Sequence, residues 1–284
     1  MFIRSNDLVN QKGNIMNVLT EELLAEAISD KTVSSMTLPL YVGRTCCNEK
    51  VFIDLANQPH LLLGGDSGSG KTNCLNVIIC GLASRFTPSQ LQLVLMDTAL
   101  VEFYDYAKLP HLAFPVLNKI EDCAEALRWL STELDRRLME IMHAGHRNIQ
   151  AYNAASGTMP HIVVIIDRLN DLTCADTSDI VSTLTRLTAL ARAAGIHFVA
   201  ATNRAEYSAV PHSLILPGRI AFRTRNWSDS AFWIRDTQAC ELQNRGDMLI
   251  LRPNGTFISA HCDYLFHDVE SRIIVELIEK HANI

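Results

Sequence analysis

The segment Gly65-Asp66-Ser67-Gly68-Ser69-Gly70-Lys71-Thr72 reads GxxxxGK[ST] in full. Each residue type in that spacing has a physical task when the ligand is a polyphosphate. Glycines let the backbone wrap closely and aim N–H groups at phosphate oxygens. A helix that starts at the end of the pattern presents its positive end to the same oxygens. The Lys71 ammonium then reaches the β- and γ-phosphates, and the Thr72 hydroxyl ligates magnesium. The ligand set expected here is a nucleoside triphosphate, ATP, together with Mg2+.

Phosphate chemistry at such a loop needs a second acid at the end of a neighbouring strand. Ile162-Val163-Val164-Ile165-Ile166-Asp167 ends an apolar run on a carboxylate, so Asp167 is expected to face the magnesium. The following position is Arg168, where a glutamate commonly orients and deprotonates the attacking water. A guanidinium stays protonated at any workable pH and cannot serve as a base. The binding parts are therefore complete and the usual base is missing. Glu102, Asp171 or a neighbouring subunit are the alternatives for that role, and hydrolysis is a separate question from binding.

Strands and helices must hold these groups at one edge. Apolar runs predict strands over Val51–Leu55, His60–Gly64, Leu91–Asp97, Ile162–Asp167, Ile196–Thr202 and Arg219–Arg223. Runs such as HLLLGG and IVVIID show no polar alternation, which fits strands covered on both faces. Ile120, Ala124, Leu127, Leu130, Leu134, Leu138 and Ile141 recur at helical steps and predict a helix over Lys119–His143, with Gly145 as its stop. A second helix is expected over Asp179–Ala194 and a closing one over Asp268–His281. Gly246–Tyr264 reads as a β-hairpin turning at Pro253-Asn254-Gly255. Thr20 caps a short amphipathic helix near the start. The expected organisation is a helical arm over 1–37 and one α/β domain over 38–284, its mainly parallel sheet flanked by helices.

Composition bounds the function classes. With 25 basic and 31 acidic residues the net charge is −6, so a uniformly basic nucleic-acid surface is excluded. A local patch or a ring of subunits can still present positive charge. The eight cysteines form no CxxC pair, which argues against a zinc site, and Cys74, Cys80 and Cys123 fit reduced core positions. No apolar run approaches the ~18 residues of a membrane span, and the N-terminus lacks a signal-peptide core. A cytoplasmic protein without membrane insertion is expected.

From Leu38 to Tyr264 the chain resembles the RecA-like motor domain of the FtsK/SpoIIIE DNA translocases. The likeness is carried by VFIDLANQPHLLLGGDSGSGKT, LQLVLMDTALVEFYDYAKLPHLAFPV, ALRWLSTELDRRLMEIMHAGHRNIQAYN, IVVIIDRLNDL, ARAAGIHFVAATNR, GRIAFR and GDMLI, in that order. The resemblance implies a P-loop ATPase of RecA type. It implies that Lys71 and Thr72 hold phosphate and magnesium, and that Asp167 is the Walker B acid. Thr202 and Asn203 stand at the polar sensor position, with Asn where Gln is usual. Arg219 matches the arginine presented to the nucleotide of the next subunit, which implies a hexameric ring. Asp97 matches an acid beside the site, while Ala99 replaces its partner lysine.

The departures matter as well. Arg168 replaces the glutamate, and Ala231 replaces an arginine. The loop Thr173–Asp179 is acidic where a DNA-gripping loop would want lysines. Arg186 and Arg192 fit a solvated helix face. Three readings follow: a motor moving double-stranded DNA; a catalytically degenerate ATP-binding subunit, as in type VII secretion; or a mobile-element motor whose DNA reader is a separate protein.

Overall fold

Apolar runs too short for helices and rich in β-branched residues pair side by side, and here they build one large sheet. The computed structural model describes residues 8–9, 15–155, 157–175, 178–252 and 254–281. Two short paired strands, β1 (Leu8–Val9) and β2 (Ile15–Met16), precede α1 (Glu21–Ile28) and the hairpin of β3 (Pro39–Arg44) and β4 (Lys50–Asp54). Next come β5 (Leu61–Gly64), α2 (Lys71–Arg85), β6 (Leu91–Asp97), α3 (Ile120–His143) and α4 (Ile149–Ala155). They are followed by β7 (His161–Asp167), α5 (Leu169–Thr173), α6 (Ser178–Leu190), β8 (Ile196–Thr202), β9 (Gly218–Phe222) and α7 (Trp227–Ile234). The chain continues through β10 (Asp247–Leu251), β11 (Phe257–His261) and α8 (His267–His281).

Nine strands lie in the order β4-β3-β11-β10-β9-β5-β8-β7-β6. From β9 to β6 all neighbours are parallel, and β5, β7 and β8 are buried along their whole length. From β9 outward to β4 every pairing is antiparallel. The expected C-terminal hairpin therefore extends the sheet itself, because β10 bonds to β9. It makes the sheet mixed. Strand β3 escaped the sequence reading: it opens on a proline and contains Gly43, both poor strand signals. Of the expected turn, Pro253 lies outside the described residues, and Arg252 N–H donating to the Thr256 carbonyl at 2.8 Å closes the loop. The helix expected over Asp179–Ala194 is α6 up to Leu190 and then a tighter 3-10 turn over Ala191–Ala194.

Two apolar cores sandwich the sheet. One face meets α1, α2 and α8, and the other meets α3, α5, α6 and α7. Leu24 and Ala27 of α1 join the first core, and the Leu19 N–H donates to the Tyr264 carbonyl at 2.9 Å. The Thr20 hydroxyl accepts from the Leu23 N–H as its capping role requires. Cys74, Cys80 and Cys123 are buried free thiols.

Three histidines gather at the amino ends of the parallel strands, remote from the phosphate loop. His161 stacks on His197 at 5.6 Å between ring centres, and His60 lies beside both strands, its Nδ1 accepting from the Phe198 N–H. Burial lowers the His60 and His161 imidazoles to about 4 and holds His197 well below its ordinary value. Neither ring nitrogen of His197 has a partner among the described residues. A depressed folded-state pKa means that the unfolded chain binds more protons between about pH 4 and 6.5. Stability from this cluster is complete above pH 6.5 and lost as the pH falls through that window. Asp167, whose pKa is raised, works in the opposite sense. The difference between wild type and His197→Phe isolates the histidines. In urea unfolding, His197→Phe should be more stable than wild type by ~1 kcal/mol at pH 5, and the gap should narrow at pH 7.5.

Candidate nucleotide-binding site

Strand β5 has parallel neighbours β8 and β9 on its two sides, so a crevice opens at its carboxyl end. The loop Gly65–Thr72 leaves β5 there and runs straight into α2. Gly65, Gly68 and Gly70 hold φ of +144°, +73° and +115°. Gly70 is the N-cap of α2 with no side-chain cap, so the first N–H groups of the helix are free to face an anion. A Cβ at Gly70 would stand 2.9 Å from the Gly246 nitrogen.

Distant segments hold this loop in shape. Asp66 N–H donates to the Arg223 carbonyl at 2.9 Å, and Gly246 N–H donates to the Ser69 carbonyl at 2.9 Å. The Asn203 amide donates to the Ser67 hydroxyl at 2.9 Å. Asn73, in the first turn of α2, donates to the Asp263 carbonyl at 2.8 Å and accepts from the Leu265 N–H at 2.9 Å. The Ser69 hydroxyl is buried without a partner among the described residues. An orphaned donor in a ring of backbone N–H groups fits a phosphate oxygen.

Lys71 is buried, and its ammonium donates to the Gly65 and Asp66 carbonyls at 2.9 and 2.8 Å. Burial lowers its pKa to about 8, against the pull of Asp167 and Asp66. Asp167 is buried as well. Its pKa is raised to about 6 by burial, then by Glu102 and Asp97, with Lys71 and Arg168 opposing. A buried carboxylate crowded by two others favours a divalent cation, which makes Asp167 and Thr72 suitable holders for Mg2+. That ion would supply charge neutralisation at the transferred phosphate.

The neighbouring residues are committed to structure. Asp97 is the register partner of Asp167, and its oxygens accept from the N–H groups of Ala99, Glu102 and Phe103 at 2.7–3.1 Å. It organises the loop after β6. Asp171 is engaged by the Thr98 hydroxyl and the Asn170 amide at 2.7 Å each. Thr202 donates to Asn170 at 2.9 Å and accepts from the Arg204 N–H. Arg168 has φ +65° and an exposed side chain. Sequence reasoning missed Asn170, Thr98 and the bracing role of Gly246; of these only Gly246 carried a signal, inside GDMLI.

Arg219 is not brought to this loop. It pairs with Leu62 at mid-height of the sheet, and its Nε donates to the Leu216 carbonyl at 3.0 Å. It opens on a separate groove of about 860 Å³, lined also by Tyr207, Phe232, Arg235 and Arg252. Burial and then Arg235 lower its pKa, a sign that an anion would be welcome there.

A mixed sheet covered by helices, with this loop at its crevice and an acid on the second strand along, defines a P-loop NTPase. Residues 23–207 match the FtsK/SpoIIIE family model. The DNA translocase FtsK of Chlamydia pneumoniae is 34% identical over 268 residues, covering 88% of this chain and 33% of its own length. The SpoIIIE DNA translocase of Bacillus subtilis strain 168 is also 34% identical, over 87% of this chain and 34% of its own. In fold, the chain is similar to the pCW3 conjugation coupling protein TcpA in its monomer form with ATPγS, with a TM-score of 0.76 and 24% identity over 89% of this chain and 73% of that one. The chain belongs to the FtsK/SpoIIIE family. It spans about a third of the length of the curated relatives it matches.

Gly246 has φ +98°, and a Cβ there would stand 3.0 Å from the His261 ring and 3.1 Å from the Cys262 carbonyl oxygen. Gly246→Ala should lower stability by about 1–3 kcal/mol. It should also weaken binding of a fluorescent ATP analogue, because the clash shifts the backbone N–H that braces the Ser69 carbonyl. Unchanged affinity in a folded variant would refute the bracing role.

Proposed function

We propose that this chain is an ATP-driven motor domain that moves double-stranded DNA as one subunit of a ring. The observation that carries the reading is the braced glycine loop with Lys71, set opposite the buried Asp167. Lys71, Thr72 and the N–H groups of Gly65–Thr72 hold ATP and Mg2+, and Asp167 completes the metal site. Asn203 senses the nucleotide through Ser67, since a change at that hydroxyl reaches it directly. Arg219 reaches a nucleotide bound by the next subunit, which suits its place in a separate groove. Self-association into a hexamer supplies the missing face of each site. Family membership supports DNA as the cargo, and the acidic net charge means that grip must come from local cations assembled by the ring. The arm over 1–37 and the motor domain over 38–284 act in the cytoplasm; among the described residues no helix is long and apolar enough to cross a membrane.

One observation favours a second reading. Arg168 stands where the water-activating glutamate is usual, which suits an ATP-binding assembly or regulatory subunit working with a separate DNA reader or a secretion partner.

ATP turnover with and without duplex DNA separates the two. The motor reading expects turnover that duplex DNA stimulates and that rising salt weakens, since phosphate contacts release counterions. Lys71→Ala should abolish it. Turnover no faster than in Lys71→Ala, with Mg-ATP still bound, overturns the motor reading. Arg219→Ala should lower turnover about 10³-fold or more while leaving ATP affinity intact. Mixing it with Lys71→Ala should restore some activity, because each variant keeps the half-site the other lacks.

A further inference from the structure

The site lacks a base at position 168, and the loop after β6 offers a replacement. Asp97 and Asp167 end adjacent parallel strands at the same register. One Asp97 oxygen accepts from two successive N–H groups, those of Glu102 at 2.7 Å and Phe103 at 3.1 Å. The other accepts from Ala99 at 3.1 Å. Phe103 is fully buried and anchors the loop from below. These bonds fix the Glu102 backbone beside the acid that faces the metal position. The side chain of Glu102 is half-buried and makes no hydrogen bond or ion pair with the described residues.

The other carboxylates nearby are already committed. Asp97 is saturated by backbone N–H groups, and Asp171 by Thr98 and Asn170. Asp66 lies on the phosphate loop, on the side facing Arg225. Arg168 carries the wrong charge, and its side chain is exposed. Glu102 is also the charge that acts most strongly on Asp167, so the two carboxylates share one field.

We propose that Glu102 is the general base of this enzyme, taking over the task that the residue after the metal-facing aspartate performs elsewhere. The inference rests on the ATP-hydrolysing reading above. Glu102 accepts a proton from the attacking water as the water oxygen bonds to the γ-phosphorus. The bond from that phosphorus to the bridging oxygen breaks, and its electron pair leaves on ADP. The proton then passes from Glu102 to solvent, so ATP and water give ADP, phosphate and a proton. A base on the loop after the neighbouring strand explains how a site with Arg168 keeps its chemistry.

Glu102→Gln keeps the shape and removes the basicity. In the full chain it should lower kcat by about 10²–10⁴-fold. The Kd for Mg-ATPγS, measured by equilibrium binding, should stay within twofold of wild type. Purified Glu102→Gln incubated with Mg-ATP should retain unhydrolysed ATP, read by chromatography of the extracted nucleotide. Glu102→Asp should recover part of the rate. Undiminished kcat in Glu102→Gln overturns the proposal and leaves the motor reading standing. A loss of Mg-ATPγS affinity equal to the loss in kcat also overturns it, assigning Glu102 to metal or nucleotide binding. Wild-type turnover at the level of Lys71→Ala overturns the hydrolytic reading and this proposal together.

Discussion

The hydrogen bonds that hold β5 between β8 and β9 are the constraint on which everything else rests. Four residues, all buried, set the height at which the glycine loop leaves the sheet. That height decides which groups can meet a phosphate. Asp167 and Thr202 end their strands at the same edge, and Asn203 extends one residue further. Arg219 lies near the start of β9, lower in the sheet, and meets a different surface. The loop has no side-chain cap of its own, so the backbone groups of Arg223 and Gly246, together with the Asn203 amide, complete its geometry.

Charge in the crevice is poised rather than settled. Lys71 is held near neutrality from above and Asp167 from below, each by its own burial. Buried opposite charges of this kind gain little for folding, because desolvation offsets their attraction. Their value lies in what they await. A polyphosphate gives Lys71 a stronger anion than the carbonyls it now faces, and a divalent ion relieves the crowding around Asp167. A bound polyphosphate and divalent ion would satisfy both groups at once, a natural basis for coupling occupancy to shape.

The loop, Asp167 and the parallel strands were legible because each is a local signal. Glycine spacing, an apolar run ending on an acid and unbroken β-branched stretches need no knowledge of distant partners. The expected strand ends fall within one residue or so of those observed. What was illegible depends on pairing across the chain. Strand β3 carries Pro39 and Gly43 and acquires its role only beside β4 and β11. The hairpin was legible as a hairpin, but nothing in its residues announces the bond to β9. Asp97 looked like a site acid, and only three N–H groups donated from its own following loop reveal it as an organiser. Glu102 was one of three open alternatives by sequence; the commitments of its neighbours single it out.

Strand β10 has a quality that follows from its two ends. Gly246, just before it, grips the Ser69 carbonyl, while Leu251, its last residue, pairs with Arg219. Five residues span about 17 Å and are stiffened by partners on both sides. In a closed ring, one end of this strut would feel the nucleotide of its own subunit and the other would feel that of the next. A rigid rod between two such sites cannot let both relax independently. In a ring of the proposed kind it would act like an escapement, each subunit's release setting the timing of its neighbour.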